Sequence, residues 1–154
     1  MKKVQITVVL LTVLAFAATA FAQQPEAKPY RNGPVWDIGF IHAKAGMEDR
    51  YLRYVATEWK REQEALKKAG IVLDYKVITT EAHSPADFNV ILMTQFKDLA
   101  SLEANQDKAE SIALQLEGGT QKMETGFTDR ASYREVVANR LGQEIILEPK
   151  PATK

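Results

Sequence analysis

The stretch Val35-Trp36-Asp37-Ile38-Gly39-Phe40-Ile41-His42 alternates with a period of two, which predicts a strand carrying Trp36, Ile38, Phe40 and His42 on one face. After a loop at residues 43–46, Tyr51, Tyr54, Val55, Trp59, Leu66 and Ala69 recur at helical spacing, and Gly70 follows as a stop, so residues 47–69 read as one amphipathic helix. Period two returns over residues 71–80, where Ile71, Leu73, Tyr75 and Val77 alternate with Val72, Asp74, Lys76 and Ile78, and again over residues 88–96. The turn between them, residues 81–87, makes the pair a hairpin. Residues 99–116 form a second, less regular helical stretch closed by Gly118-Gly119. Residues 120–139 give the weakest pattern, with a short helix expected at 133–137, and residues 143–147 read as a last strand.

The order β, α, β, β, α, β is that of a split βαβ unit, so the fold class expected is α+β: a ferredoxin-like, four-stranded antiparallel sheet with its helices on one face. Trp36, Ile38, Phe40, Ile71, Leu73, Tyr75, Val77, Phe88, Val90, Leu92 and Phe96 are the residues expected against the helices. The other face would carry Ile41, Val72, Ile78, Ile91, Met93 and Ile146, mixed with Asp37, Asp74, Lys76, Asn89, Gln95 and Glu144. Such a face is too apolar for water alone, since monomers rarely leave more than roughly a few hundred Å² of contiguous apolar surface uncovered. A second copy on a two-fold axis is the simplest cover. Asp37, Ile41, Asp74, Lys76, Asn89, Ile91, Met93 and Gln95 are the residues expected in that homodimer interface, where the charged members would set register.

The termini read differently. Residues 1–22 begin with Lys2-Lys3, continue as an apolar run and end at Ala20-Phe21-Ala22, the pattern of a cleaved secretory signal peptide. The run is shorter than the ~20 residues of a spanning helix, and no Cys follows it to take a lipid, so no membrane association is expected after cleavage. Residues 23–34 and 148–154, rich in Pro and polar groups, read as a flexible leader and tail around a single domain at 35–147. The expected location is periplasmic or extracellular.

The element order, the run Val35–His42 leading to Ala45-Gly46-Met47-Glu48-Asp49-Arg50-Tyr51, and the stretch Phe88-Asn89-Val90-Ile91-Leu92-Met93-Thr94-Gln95-Phe96-Lys97-Asp98-Leu99 together resemble the dimeric α+β barrel superfamily. The resemblance spans residues 35–147 and implies two subunits whose sheets close into one barrel with the helices outside. That superfamily includes small monooxygenases, haem-processing enzymes and stress-response barrels. Its motifs here are those of a fold, so function by this route is analogy.

Composition narrows the chemistry. With 20 basic and 20 acidic residues the formal net charge is zero, and loss of Lys2 and Lys3 with the signal leaves −2, which gives no support to nucleic-acid binding through a basic patch. The chain has no Cys and two His, and no metal-ligand spacing, phosphate loop or nucleophile elbow is present, so neither metal nor cofactor is expected. His42 is the candidate catalytic group, a general base or haem ligand, although one His with no visible orienting partner reads first as a strand-end side chain bonded to backbone. His83 in the hairpin turn is explained by turn composition. Trp36, His42, Trp59, Tyr75 and Phe96 are the candidate ligand-binding residues, walls for a small apolar or aromatic molecule; the plainer readings are core for the aromatics and dimer rim for Trp59. Glu62, Glu64, Lys60, Arg61, Lys67 and Lys68 read as a solvated helix face. The function expected is an exported homodimeric barrel, binding a small molecule or serving a structural role, with a cofactor-free or haem-related monooxygenase as the alternative.

Overall fold

A computed structural model of the chain describes residues 28–84 and 86–148. The expected signal peptide, residues 23–27 of the expected leader and residues 149–154 of the tail lie outside the described residues, while residues 30–34 of that leader belong to a strand. Residues 31–147 form one compact unit. Among the described residues no helix is long and apolar enough to cross a membrane.

Four strands, β1 (Tyr30–Ala43), β2 (Asp74–Thr79), β3 (Val90–Phe96) and β4 (Arg134–Leu147), form one sheet in the order β2-β3-β1-β4. β3 pairs antiparallel with both β1 and β2. β4 also runs against β1: the space beside Gly33 is filled by Glu144 and Ile146, and that beside Gly39 by Asn139. With the intervening helices this is the α+β, ferredoxin-like fold. β1 begins earlier than its alternation suggests, and the last strand is far longer than the segment 143–147. The weakly patterned region holds no short helix at 133–137; a helix ends at Tyr133 and β4 starts at the next residue.

The first helix runs without a break from Glu48 to Lys68 but changes pitch: α1 (Glu48–Tyr54), a π turn (Val55–Trp59), then α2 (Lys60–Lys68). It stops where the chain permits a left-handed residue. Gly70, at φ +74°, donates to the Lys67 carbonyl, and Ile71 N–H reaches back to Leu66 O at 3.0 Å, the paired bonds of a Schellman motif. The accompanying apolar contact is present too, because Leu66, Ile71 and Val72 are buried in one cluster. Ile71 and Val72 are thus not opposed across a strand, which starts only at Asp74. The second helical stretch is split at Asn105 into α3 (Leu99–Ala104) and α4 (Gln106–Glu117), and α5 (Thr120–Tyr133) follows Gly118-Gly119. Asp98 caps α3 by accepting the Ser101 backbone N–H at 2.6 Å.

Which sheet face meets the helices is decided by one cluster: Ile41 and Ala43 of β1, Val90 of β3, Tyr51 and Val55 of the first helix, and Tyr133. The register pairs Ile41 with Val90, Gly39 with Leu92, Asp37 with Thr94 and Val35 with Phe96, so all of these share the helix side. The expected facing of β1 is therefore reversed. Trp36, Ile38, Phe40 and His42 lie on the opposite face beside Ile91, Met93 and Gln95, while Asp37 and Ile41, expected at a dimer interface, face the helices. Period two sorts a strand into two sets but does not say which set goes inside, and here both sets are apolar enough to mislead. Ile41 is 3% exposed; Ile41→Ala should cost about 2–5 kcal/mol in urea unfolding, and a loss well below that range would place Ile41 on the other face.

A cavity between sheet and helices

Between the helix-facing side of the sheet and the first helix lies a cavity of about 230 Å³. Its floor comes from β1 and β3, with Gly39 and Leu92 at the centre and Asp37 and Thr94 toward one end. Its walls are aromatic: Tyr51, Tyr54 and Trp59 from the first helix, and Phe127 from α5. The π turn ends at Trp59 and lies between the Tyr51/Tyr54 turn and Trp59, and such widened turns recur at functional sites. β4 closes the remaining side with Arg134, Val136 and Asn139.

The polar groups of the cavity are unevenly satisfied. Thr94 donates to Oε1 of Gln63 at 3.0 Å, which ties the floor to α2 through a buried amide. Tyr51 is 1% exposed, and burial pushes its hydroxyl up to about 12, with the Arg134 charge offsetting part of the effect. Burial also raises Tyr54, against the pull of Arg130. Asp37 keeps contact with solvent at the rim, yet partial desolvation raises its carboxyl despite a backbone hydrogen bond from Ile38. The guanidinium of Arg134 stands 5.7 Å from the Tyr51 ring centre and 5.6 Å from that of Phe127. Arg130 likewise stands 4.6 Å from Tyr54 and 5.9 Å from Phe127, so two arginines share one phenyl ring.

The residues expected to bind a ligand together are divided by the sheet. Trp59 and Tyr75 meet edge to face at 5.5 Å on the helix side, where the Tyr75 hydroxyl bonds Glu64, and Phe96 joins the cluster of Leu66, Ile71 and Val72. Trp36 and His42 are across the sheet from them. Trp36 Nε1 donates to Glu144 at 2.7 Å, and Lys76 stands 5.2 Å from its ring. Of the residues assigned to the barrel face, Asp74, Lys76, Ile91, Met93 and Gln95 share the face of Trp36. Asn89 is spent on the end of β1: its amide accepts from Ala43 N–H at 2.8 Å and donates to Ala43 O at 3.0 Å. Glu62 is not on a solvated face; burial, then the nearby Glu117, raises its carboxyl, while Arg130 draws it down.

His42 sits 2.8 Å through Nδ1 from the Asp87 carbonyl, at the edge of an open cleft also lined by His83, Glu48 and Glu81. A carbonyl only accepts, so Nδ1 carries the proton and a neutral ring keeps its lone pair on Nε2. Among the described residues no three His, Asp or Glu converge as a metal site.

Tyr51, Tyr54, Phe127, Arg130, Arg134 and Asn139 were not foreseen as site residues. Tyr51 and Tyr54 were visible only as apolar positions of a helix. The other four fall in the weakly patterned region, where Phe127, Arg130 and Arg134 at spacings of three and four are the one signal of a shared face.

No protein-family model matches the chain, and no curated protein matches it in sequence. Among solved structures it is similar to HapK from Hahella chejuensis, at 15% identity over 78% of this chain and 99% of that one, with a TM-score of 0.48. A likeness at that level carries no functional argument; the fold rests on the sheet order and the side of the sheet that the helices cover.

The tyrosines give a check on the site's burial. A phenol held at about 12 when folded and near 10 when unfolded ionises first in the unfolded chain, so stability should fall as pH rises from about 10 toward 12. For Tyr51 the loss is on the order of 2–3 kcal/mol. Absorbance of tyrosinate should rise together with unfolding, and a tyrosine titration complete below pH 11 in folded protein would contradict the buried Tyr51.

Proposed function

We propose that the chain is an exported homodimer that binds a small, partly aromatic molecule in the cavity between sheet and helices. The observation that carries this reading is the cavity itself: aromatic walls from the first helix and α5, a floor with Gly39 and a few polar groups, the usual make-up of a ligand site. Its 230 Å³ sets the ligand's size. A dry cavity of ~150 Å³ holds benzene, so this one suits a single ring with a substituent. Oxygenation of such a ring is the second reading, favoured by the enclosure of the cavity by Tyr51, Tyr54 and Trp59, and oxygen uptake in the presence of a bound compound separates it from binding alone.

The homodimer is supported by the opposite face, where Trp36, Ile38, Phe40, Ile91 and Met93 stand together, none of them a member of the two helix-packed clusters. Lys76 and Glu144 on that same face supply both signs of charge, as a self-complementary two-fold contact requires. Ile91→Asp should turn a dimer into a monomer in analytical ultracentrifugation, and a wild-type monomer would remove the barrel.

Native mass spectrometry of protein recovered from its own host tests the whole reading. The expected species is a dimer of chains starting at Gln23 that retains a small molecule. Ligand-observed NMR with a panel of one-ring compounds tests the cavity. A Cβ at Gly39 would meet Asn139 Oδ1 at 3.4 Å, ordinary contact, so Gly39→Ala should fold normally and weaken bound compounds about tenfold. A panel with no binder at millimolar concentration, or binders indifferent to Gly39→Ala, would overturn the cavity as a binding site.

A further inference from the structure

We infer that the cavity selects an organic anion, a small aromatic carboxylate, and that Arg134 is the residue that recognises the charge. The inference rests on the cavity being a binding site and specifies what it takes. Arg134 lines the cavity, yet its Nε is buried with no hydrogen-bond partner, and among the described residues no carboxylate forms an ion pair with it. A guanidinium has five N–H donors and no acceptor, and leaving its donors unmet away from water is costly. Arg130, whose Nε is also buried without a partner, differs in one respect: Glu62 and Glu117 line a neighbouring cavity with it, and its charge acts on Glu62. Arg134 stands instead near the rings of Tyr51 and Phe127.

Those rings make Arg134 suited to the task. The Tyr51 and Phe127 rings stand within 6 Å of the guanidinium, and its planar fork is pre-organised, so it loses little freedom when a carboxylate pairs with it. The aromatic walls take the apolar body of the same molecule, and Asn139 adds an amide at that end of the cavity. Asp37 is the one carboxylate lining the cavity, and it stands at the rim.

Benzoate and benzamide share a shape and differ in charge, which makes them the probes. In titrations of the full chain, benzoate should bind more tightly than benzamide by about tenfold or more, the ordinary value of one charge-assisted hydrogen bond. Arg134→Gln should abolish that preference, bringing the two probes to equal affinity. Arg134→Lys, which keeps the charge without the fork, should retain part of it and serves if the glutamine variant does not fold. Equal binding of the two probes, or a benzoate preference that survives Arg134→Gln, overturns the anion inference alone. If neither probe binds, the cavity reading falls and the anion inference with it.

Discussion

The packing of the first helix on the end of β1 governs the rest of the molecule. Tyr51 and Val55 press on Ile41, Ala43 and Val90, and Val90 is completely buried there. Once Ile41 points at the helix, strand alternation sends Asp37 and Gly39 the same way and Trp36, Ile38 and Phe40 the other. Every later feature of the cavity follows from that choice. Gly39 leaves open the space that a larger residue would fill, and Asp37, on the same face of the strand, lines the cavity beside it.

The helix changes pitch along the same seam. Its N-terminal part is anchored on β1 and β3 through Tyr51 and Val55, and its C-terminal part is tied to the floor by the Gln63–Thr94 hydrogen bond and held by the Leu66 cluster. The π turn, Val55–Trp59, begins at the first of these anchors and ends before the second. Trp59, at its end, is thereby available both to the cavity and to Tyr75.

Electrostatics at the β4 end complete the picture. Three arginines stand over aromatic faces, Arg50 over Tyr133, Arg130 over Tyr54 and Arg134 over Tyr51, and their acidic partners differ. Arg50 has an exposed ion pair with Asp129, a contact that contributes little to stability. Arg130 works among carboxylates, whereas Arg134 is left to the cavity. The chain's near-zero net charge conceals this local arrangement, because it averages over positions that the fold separates.

The sequence by itself determined the order of elements and hence the α+β topology, since the switch between a period of two and a period near four is a local property, and it determined the helix stop at Gly70, where only a residue tolerant of positive φ serves. It also marked the face of Ile91 and Met93 as apolar beyond what a solvated sheet needs. Only the tertiary structure decided which set of β1 residues the helices cover, because alternation is symmetric with respect to the two faces until a partner is chosen. It alone joined Tyr51 and Tyr54 to Phe127 and Arg134, residues more than seventy positions apart whose shared site exists through packing and leaves no local periodic trace.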